Sequence, residues 1–251
     1  MAAPDPTRLG GIEWLERSNG SLDPAQQRTL RRAAYRALAA TTVDRLLLIG
    51  GRRSRTPIHL PIPPDSAATR AAAHRCERQT PTVARHSHRT WAFGRALAAV
   101  DGIDTLDEEL FYIACLLHDA GLETPVAGED FTIRSAATAA ACLETGDTRT
   151  DQLRDMVGAH CTPGAQVDID GEHAVYIQAG ATADLVGRRL VDLAATNVER
   201  IHDDFPRGDL TDDLIALITA EAQAVPYGRF ALLKRLGFTT AIRLSPSRRV
   251  L

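Results

Sequence analysis

His118 and Asp119 follow directly on an apolar run from Phe111 to Leu117, and Gly121 lies just beyond them. Burying an unpaired carboxylate at the end of such a run is costly, and a metal ion is one of the few partners that offsets the cost. His86 opens a second stretch long enough to lie as a helix against the first. Asp184 sits in YIQAGATADLVG, another mostly apolar segment. Two imidazoles and two carboxylates from three helices form an N/O set suited to a divalent transition metal. Such a set supports activation of a bound water and polarisation of a substrate.

The dipeptide alone carries little weight, and the chain contains its own control. His202-Asp203 is also a His-Asp pair, but it lies in the polar stretch ERIHDDFPRGD and reads as a solvated helix end. Each candidate has an ordinary alternative. Asp184 is spaced to pair with Arg188 at i+4. His160, before Cys161-Thr162-Pro163, is either a site residue that holds water or substrate or an exposed histidine favoured by a helix C-terminus. Asp119 and His160 are the candidate catalytic residues, and Arg89 and His88 the candidate substrate contacts. Arg89 has a structural alternative as a buried partner, and His88 is the alternative first ligand to His86. Cys161 adjoins His160, but neighbours at a helix end point in different directions, so adjacency does not make it a nucleophile. Cys115 belongs to the core, and His59, His74 and His173 read as surface or packing residues.

The elements that must hold these residues read as helices over 66–79, 81–100, 106–119, 131–145, 149–160, 173–187, 189–204, 211–224 and 228–236. Thr105 to Glu108 and Thr148 to Asp151 have the form of capping boxes. An earlier helix starts at Asp23-Pro24, where Asp caps free N–H groups and Pro fits the first turn, and ends at Gly50-Gly51. The first twenty residues read as a loose arm around Trp14, and GRRSRTPIHLPIPPDS as an extended connector. Arg52, Arg53 and Arg55 in that connector read as a solvated loop. Period-2 strand patterning is nearly absent. The expected organisation is an all-α, single helical-bundle domain over 66–237, preceded by an N-terminal helical arm with its connector (1–65) and followed by a polar tail (238–251).

Composition supports this class. Hydrophobic residues make up 44%, much of it alanine, with only 5% aromatic, which favours helices packed through small side chains. The formal net charge of -3 argues against a nucleic-acid binder. Four scattered cysteines without a CxxC pair read as reduced thiols. No signal peptide and no apolar run of the ~18–20 residues a membrane span needs are present, so a cytoplasmic location without membrane association is expected.

With these residues in view, the chain resembles the HD superfamily of metal-dependent phosphohydrolases, all-helical enzymes whose ligands are a His, a His-Asp pair and a later Asp. HSHRTWAFG followed by DEELFYIACLLHDAGL is most similar to the cyanamide hydratase-type branch, and FTIRSAATAAACLETG, AHCTPG and QAGATADLVG continue the likeness over about residues 80–205. The resemblance implies an HD-type domain with His86, His118, Asp119 and Asp184 at one divalent metal ion per chain. Zinc is the favoured ion, and iron, manganese, cobalt and nickel accept the same set. The branch often has Phe-Glu where this chain has Phe131-Thr132, so any role of that glutamate is missing.

The implied activity is a metal-dependent hydrolase or hydratase acting on a small molecule, either a phosphoester or a cyanamide- or nitrile-like compound. One alternative is a dinuclear iron oxygenase on the same fold, with His160 and His173 as further ligands. The other is a non-catalytic helical binding or regulatory module. A small-molecule substrate is the expected partner, and homo-oligomerisation is left open.

Overall fold

A computed structural model describes residues 5–246, and these are all-helical. Within them twelve α-helices run in order: α1 (Ile12–Ser18), α2 (Pro24–Ile49), α3 (Ala67–Cys76), α4 (Pro81–Val100), α5 (Glu108–Leu117), α6 (Phe131–Ala140), α7 (Thr150–Ala159), α8 (Val167–Val186), α9 (Ala195–Asp204), α10 (Leu210–Ala224), α11 (Arg229–Arg235) and α12 (Phe238–Arg243). Single 3-10 turns stand at Ala120–Glu123 and Leu190–Asp192. Among the described residues no β-strand forms, only an isolated bridge between Val126 and Glu129. No described helix is long and apolar enough to cross a membrane.

The centre of the bundle is α5, in which every residue from Leu110 to Leu117 is buried. A helix apolar on all sides must be surrounded, and α3, α4, α6, α7 and α8 all pack on it. The most extensive helix pairing joins α4 to α8. It depends on two glycines: a Cβ on Gly94 would stand 2.6 Å from the carbonyl oxygen of Tyr176, and one on Gly180 would stand 2.0 Å from that of Thr90. The two backbones therefore touch, and α4 and α8 bring His86 and Asp184 together.

Several local features depart from the sequence expectations. The loose N-terminal arm is a packed helix, with Trp14 and Leu15 buried. Arg8 fastens it to α7 and α8 through Asp155 (2.9 Å) and Asp170 (3.0 Å), contacts distant in sequence and so invisible to local pattern. In the C-terminal segment, Ala241 and Ile242 of α12 are buried in a second apolar cluster with Leu185, Leu214 and Ile218. The tail beyond 246 lies outside the described residues.

Neither expected capping box on α5 or α7 forms. Asp107 caps α5 by accepting from the Leu110 amide (3.0 Å), while the Thr105 hydroxyl goes to Glu172. Arg149, with no side-chain cap bond, occupies the N-cap of α7. The Asp23 capping box is present, with the Pro24 start. The expected start of α8 near 173 reflects a real break, since Gly171 has φ 79° and interrupts the helix. Residues 52–65 form no regular structure, and Asn197 pins them by bonding both the amide and the carbonyl of Ile58.

Candidate metal centre

Four helices deliver the site. His86 comes from the first half of α4, and Asp184 from the last turn of α8. His118 and His160 stand at equivalent places, each the residue directly after the last turn of its helix, α5 and α7. The terminal carbonyls of a helix lack intrahelical partners, and both histidines use one. His118 Nδ1 donates to the Cys115 carbonyl at 2.7 Å, and His160 Nδ1 donates to the Val157 carbonyl at 2.6 Å. A carbonyl can only accept, so the proton of each neutral ring lies on Nδ1 and the Nε2 lone pair is left to face inward. His86 reaches the same state differently, with Nδ1 2.6 Å from Asp184 Oδ2.

The three Nε2 atoms meet at Asp119. Its Oδ2 lies 3.3 Å from His118 Nε2 and 3.6 Å from His86 Nε2, and its Oδ1 lies 3.6 Å from His160 Nε2. All four residues are buried. Nε2 of His86 and of His118 has no hydrogen-bond partner. Buried acceptors facing one another are unfavourable until a cation or proton joins them. His86, His118 and Asp119 could hold a metal ion, their ligand atoms lying within 4.8 Å of one another. The orphaned Nε2 atoms fit that role, and Asp184 supplies the carboxylate that metal-bound histidines commonly lean on.

The electrostatics differ among the four residues. Burial pushes the Asp119 carboxyl up, but His118 and His160 outweigh it and hold Asp119 well below the usual carboxylate range. Burial opposes charge on His118, yet Asp119 and the Cys115 carbonyl raise its pKa. Burial lowers the pKa of both His86 and His160, which favours the neutral, ligating form.

Asp184 stands apart from this group. Its Oδ2 is taken by His86, and its Oδ1 by Arg89 Nε at 2.9 Å and by Arg207, which also bonds its main-chain carbonyl. Burial raises its pKa, but the two guanidiniums and His86 hold it well below the ordinary range. The alternative i+4 pairing with Arg188 is absent, because Arg188 pairs with Asp44 instead. Arg207 is the residue the sequence did not signal. It lies in the loop after α9, and only the fold brings it to Asp184.

Of the two alternatives for the first histidine, His86 is the one beside His118 and Asp119. His88 stacks on Phe205, ring centroids 4.7 Å apart. Arg89 is fully buried and bonds Asp184 and the carbonyls of Phe205 and Pro206. Neither His88 nor Arg89 is among the cavity-lining residues. His173 Nε2 accepts from the Asp107 amide at 2.9 Å, so it serves the start of α5. His202 is not the solvated helix end expected: it is buried edge-on to Phe93, and burial lowers its pKa to about 4. The polar residues around it misled the sequence pattern, since they occupy the opposite face of α9.

A cavity of about 460 Å³ opens on the cluster, with His86, His118, Asp119 and His160 at its inner end. Cys161 also lines it, but burial pushes its thiol up, so it is not poised as a thiolate. Gln178 braces the wall, donating to the carbonyls of His160 (2.8 Å) and Thr162 (2.6 Å). Models of known protein families and curated proteins yield no match to the chain.

Proposed function

We propose that the protein is a metal-dependent hydrolase or hydratase of HD type acting on a small molecule. The observation that carries this reading is the convergence of three Nε2 atoms on the Asp119 carboxylate at the buried end of a cavity. His86, His118 and Asp119 would hold the ion with His160 alongside, a nitrogen-rich set that favours zinc. A bound ion of this kind supplies a water that ionises near neutral pH and a Lewis acid for the substrate.

The chain's own residues supply the rest. Asp119 Oδ1, turned towards His160, is placed to accept a hydrogen bond from a water and fix its direction. His160 Nε2, held neutral by burial, can take up and return a proton beside it. Asp184 fixes the tautomer and ring orientation of His86 and increases its basicity. The four cysteines are unpaired thiols, which fits work in a reducing, cytoplasmic compartment.

The test is elemental analysis of purified wild type beside His118→Ala, each assayed against phosphomonoesters, nucleotides, cyanamide and nitriles. About one metal atom per chain, lost with activity in the variant, is the expected result. A metal-free wild type, together with a variant of undiminished activity, would overturn the proposal.

A further inference from the structure

The cavity that ends at the His/Asp cluster is built from two sources. Its inner end and one wall come from α4, α5, α7 and α8, and its outer wall from elements at the two ends of the chain. Helix α2 contributes Ala34 and Thr41, α8 contributes Val175 and Leu185, and α11 contributes Phe230 and Leu233. The polar side chains along this wall are already engaged. The Thr41 hydroxyl donates to the Ala37 carbonyl at 2.8 Å, and that of Thr182 to the Gln178 carbonyl at 2.8 Å. The Gln178 amide is taken up by three backbone groups.

The cations that line the cavity, Arg36, Arg188 and Arg189, are exposed or already paired. Arg188 is paired with Asp44, Arg189 is paired with Asp101 and Asp192, and Arg36 is exposed at the rim. The two guanidiniums nearest the cluster, Arg89 and Arg207, are committed to Asp184. The one lysine of the chain, Lys234, does not line the cavity. A phosphate group carried to the inner end would lose its hydration where the nearest guanidiniums are already committed to a carboxylate.

We infer that the site takes a neutral molecule with an apolar body, a linear alkyl or aryl group lying between α2, α8 and α11, whose small polar head meets the His/Asp cluster. The identity of the head rests on the metal-centre reading above, whereas the body is selected by the walls. An opening of about 460 Å³ lies within the range for sites that bury small organic molecules. Each methylene transferred into it should tighten binding roughly fourfold, the equivalent of ~0.8 kcal/mol.

The test is a chain-length series measured by calorimetry on the full-length protein. For the metal-loaded protein the probes are aceto-, butano-, hexano- and octanohydroxamate, set against alkyl phosphates of the same lengths. The expected result is about a fifteenfold gain per two methylenes for hydroxamates, with the phosphates weaker at every length. Affinity that does not change with length, or phosphates that bind more tightly, would overturn the inference. Ala34→Leu, which narrows the α2 wall, should weaken octanohydroxamate at least tenfold and leave acetohydroxamate and metal content unchanged. Should the protein bind no metal, the function proposed above fails by itself. Butanamide, hexanamide and octanamide then test the walls: a rise with length sustains the inference and a flat series overturns it.

Discussion

Gly180 of α8 faces Gly94 of α4 so closely that a Cβ on Gly180 would lie 2.8 Å from the Gly94 amide nitrogen and 2.0 Å from the Thr90 carbonyl oxygen. Real Cβ contacts do not reach such distances, and both obstacles are helix backbone, which cannot swing aside as a long side chain can. The crossing sets the distance between the helices that carry His86 and Asp184, so fold and site share one constraint. Gly180→Ala should destabilise the protein by about 3 kcal/mol or more, read as a lowered midpoint in urea. Because the helices must separate, metal retention should fall with it. A variant as stable as wild type would show that the crossing tolerates a methyl group.

Asp184 behind His86 predicts a graded effect on metal binding. Asp184→Asn should weaken metal affinity about 10–100-fold, measured by competition with a chromophoric chelator. His118→Ala, which deletes an inward-facing Nε2, should weaken it far more. Equal losses in the two variants would place Asp184 among the direct ligands. The same variant leaves Arg89 and Arg207 without their carboxylate, so a loss of about 3 kcal/mol in stability should accompany it.

Glu221 on α10 offers a pH test away from the cluster. Its Oε1 accepts from the Phe131 amide at 3.0 Å, while Oε2 has no hydrogen-bond partner. Burial raises its pKa to about 7, with Asp130 adding to the rise and Arg134 and Arg229 opposing it. The folded state therefore holds this proton more tightly than the unfolded chain, whose value is 4.5. The stabilisation is complete below about pH 4.5 and is lost as pH rises to about 7. Glu221→Gln should remove about 1–3 kcal/mol of that slope, seen as a flatter dependence of unfolding free energy on pH. An unchanged slope would contradict the assignment.

Arg229 ties three helices together outside the site. Fully buried, it bonds Asp130 (2.9 Å), the Thr132 hydroxyl (2.7 Å) and the Gly158 carbonyl (2.7 Å), joining α11 to the start of α6 and the end of α7. Arg229→Met should cost about 3–5 kcal/mol, because it strands the Asp130 carboxylate. Thermal unfolding followed by circular dichroism would check this, and a loss below about 1 kcal/mol would mean that Asp130 finds other partners.

Much of the site was legible along the chain, because helix-period apolar runs carry strong local signals. The run from Phe111 to Leu117 identified α5 as buried, and residues at the end of a buried helix are held near the core. That reasoning led to His118 and Asp119, and it separated them from the pair at 202. It failed on His202 itself, since one buried face within a polar stretch leaves no long apolar run. Capping boxes were equally deceptive at Thr105 and Thr148, where residues remote in sequence took the hydroxyl or another residue took the cap position.

What the sequence determined by itself is the helical class and the donor chemistry: alanine-rich amphipathic segments can bury a core only as packed helices, and His118-Asp119 needs a partner at the end of an apolar one. Tertiary structure alone decided the division of labour among those donors. Whether Asp184 faces the cluster or stands behind His86 depends on Arg89 and Arg207 arriving from α4 and the loop after α9, and on two glycines that let α4 and α8 touch. The cavity likewise exists only because α2 and α11, nearly two hundred residues apart, close over α8. Such relations join distant residues in space, and local periodicity contains no term for them.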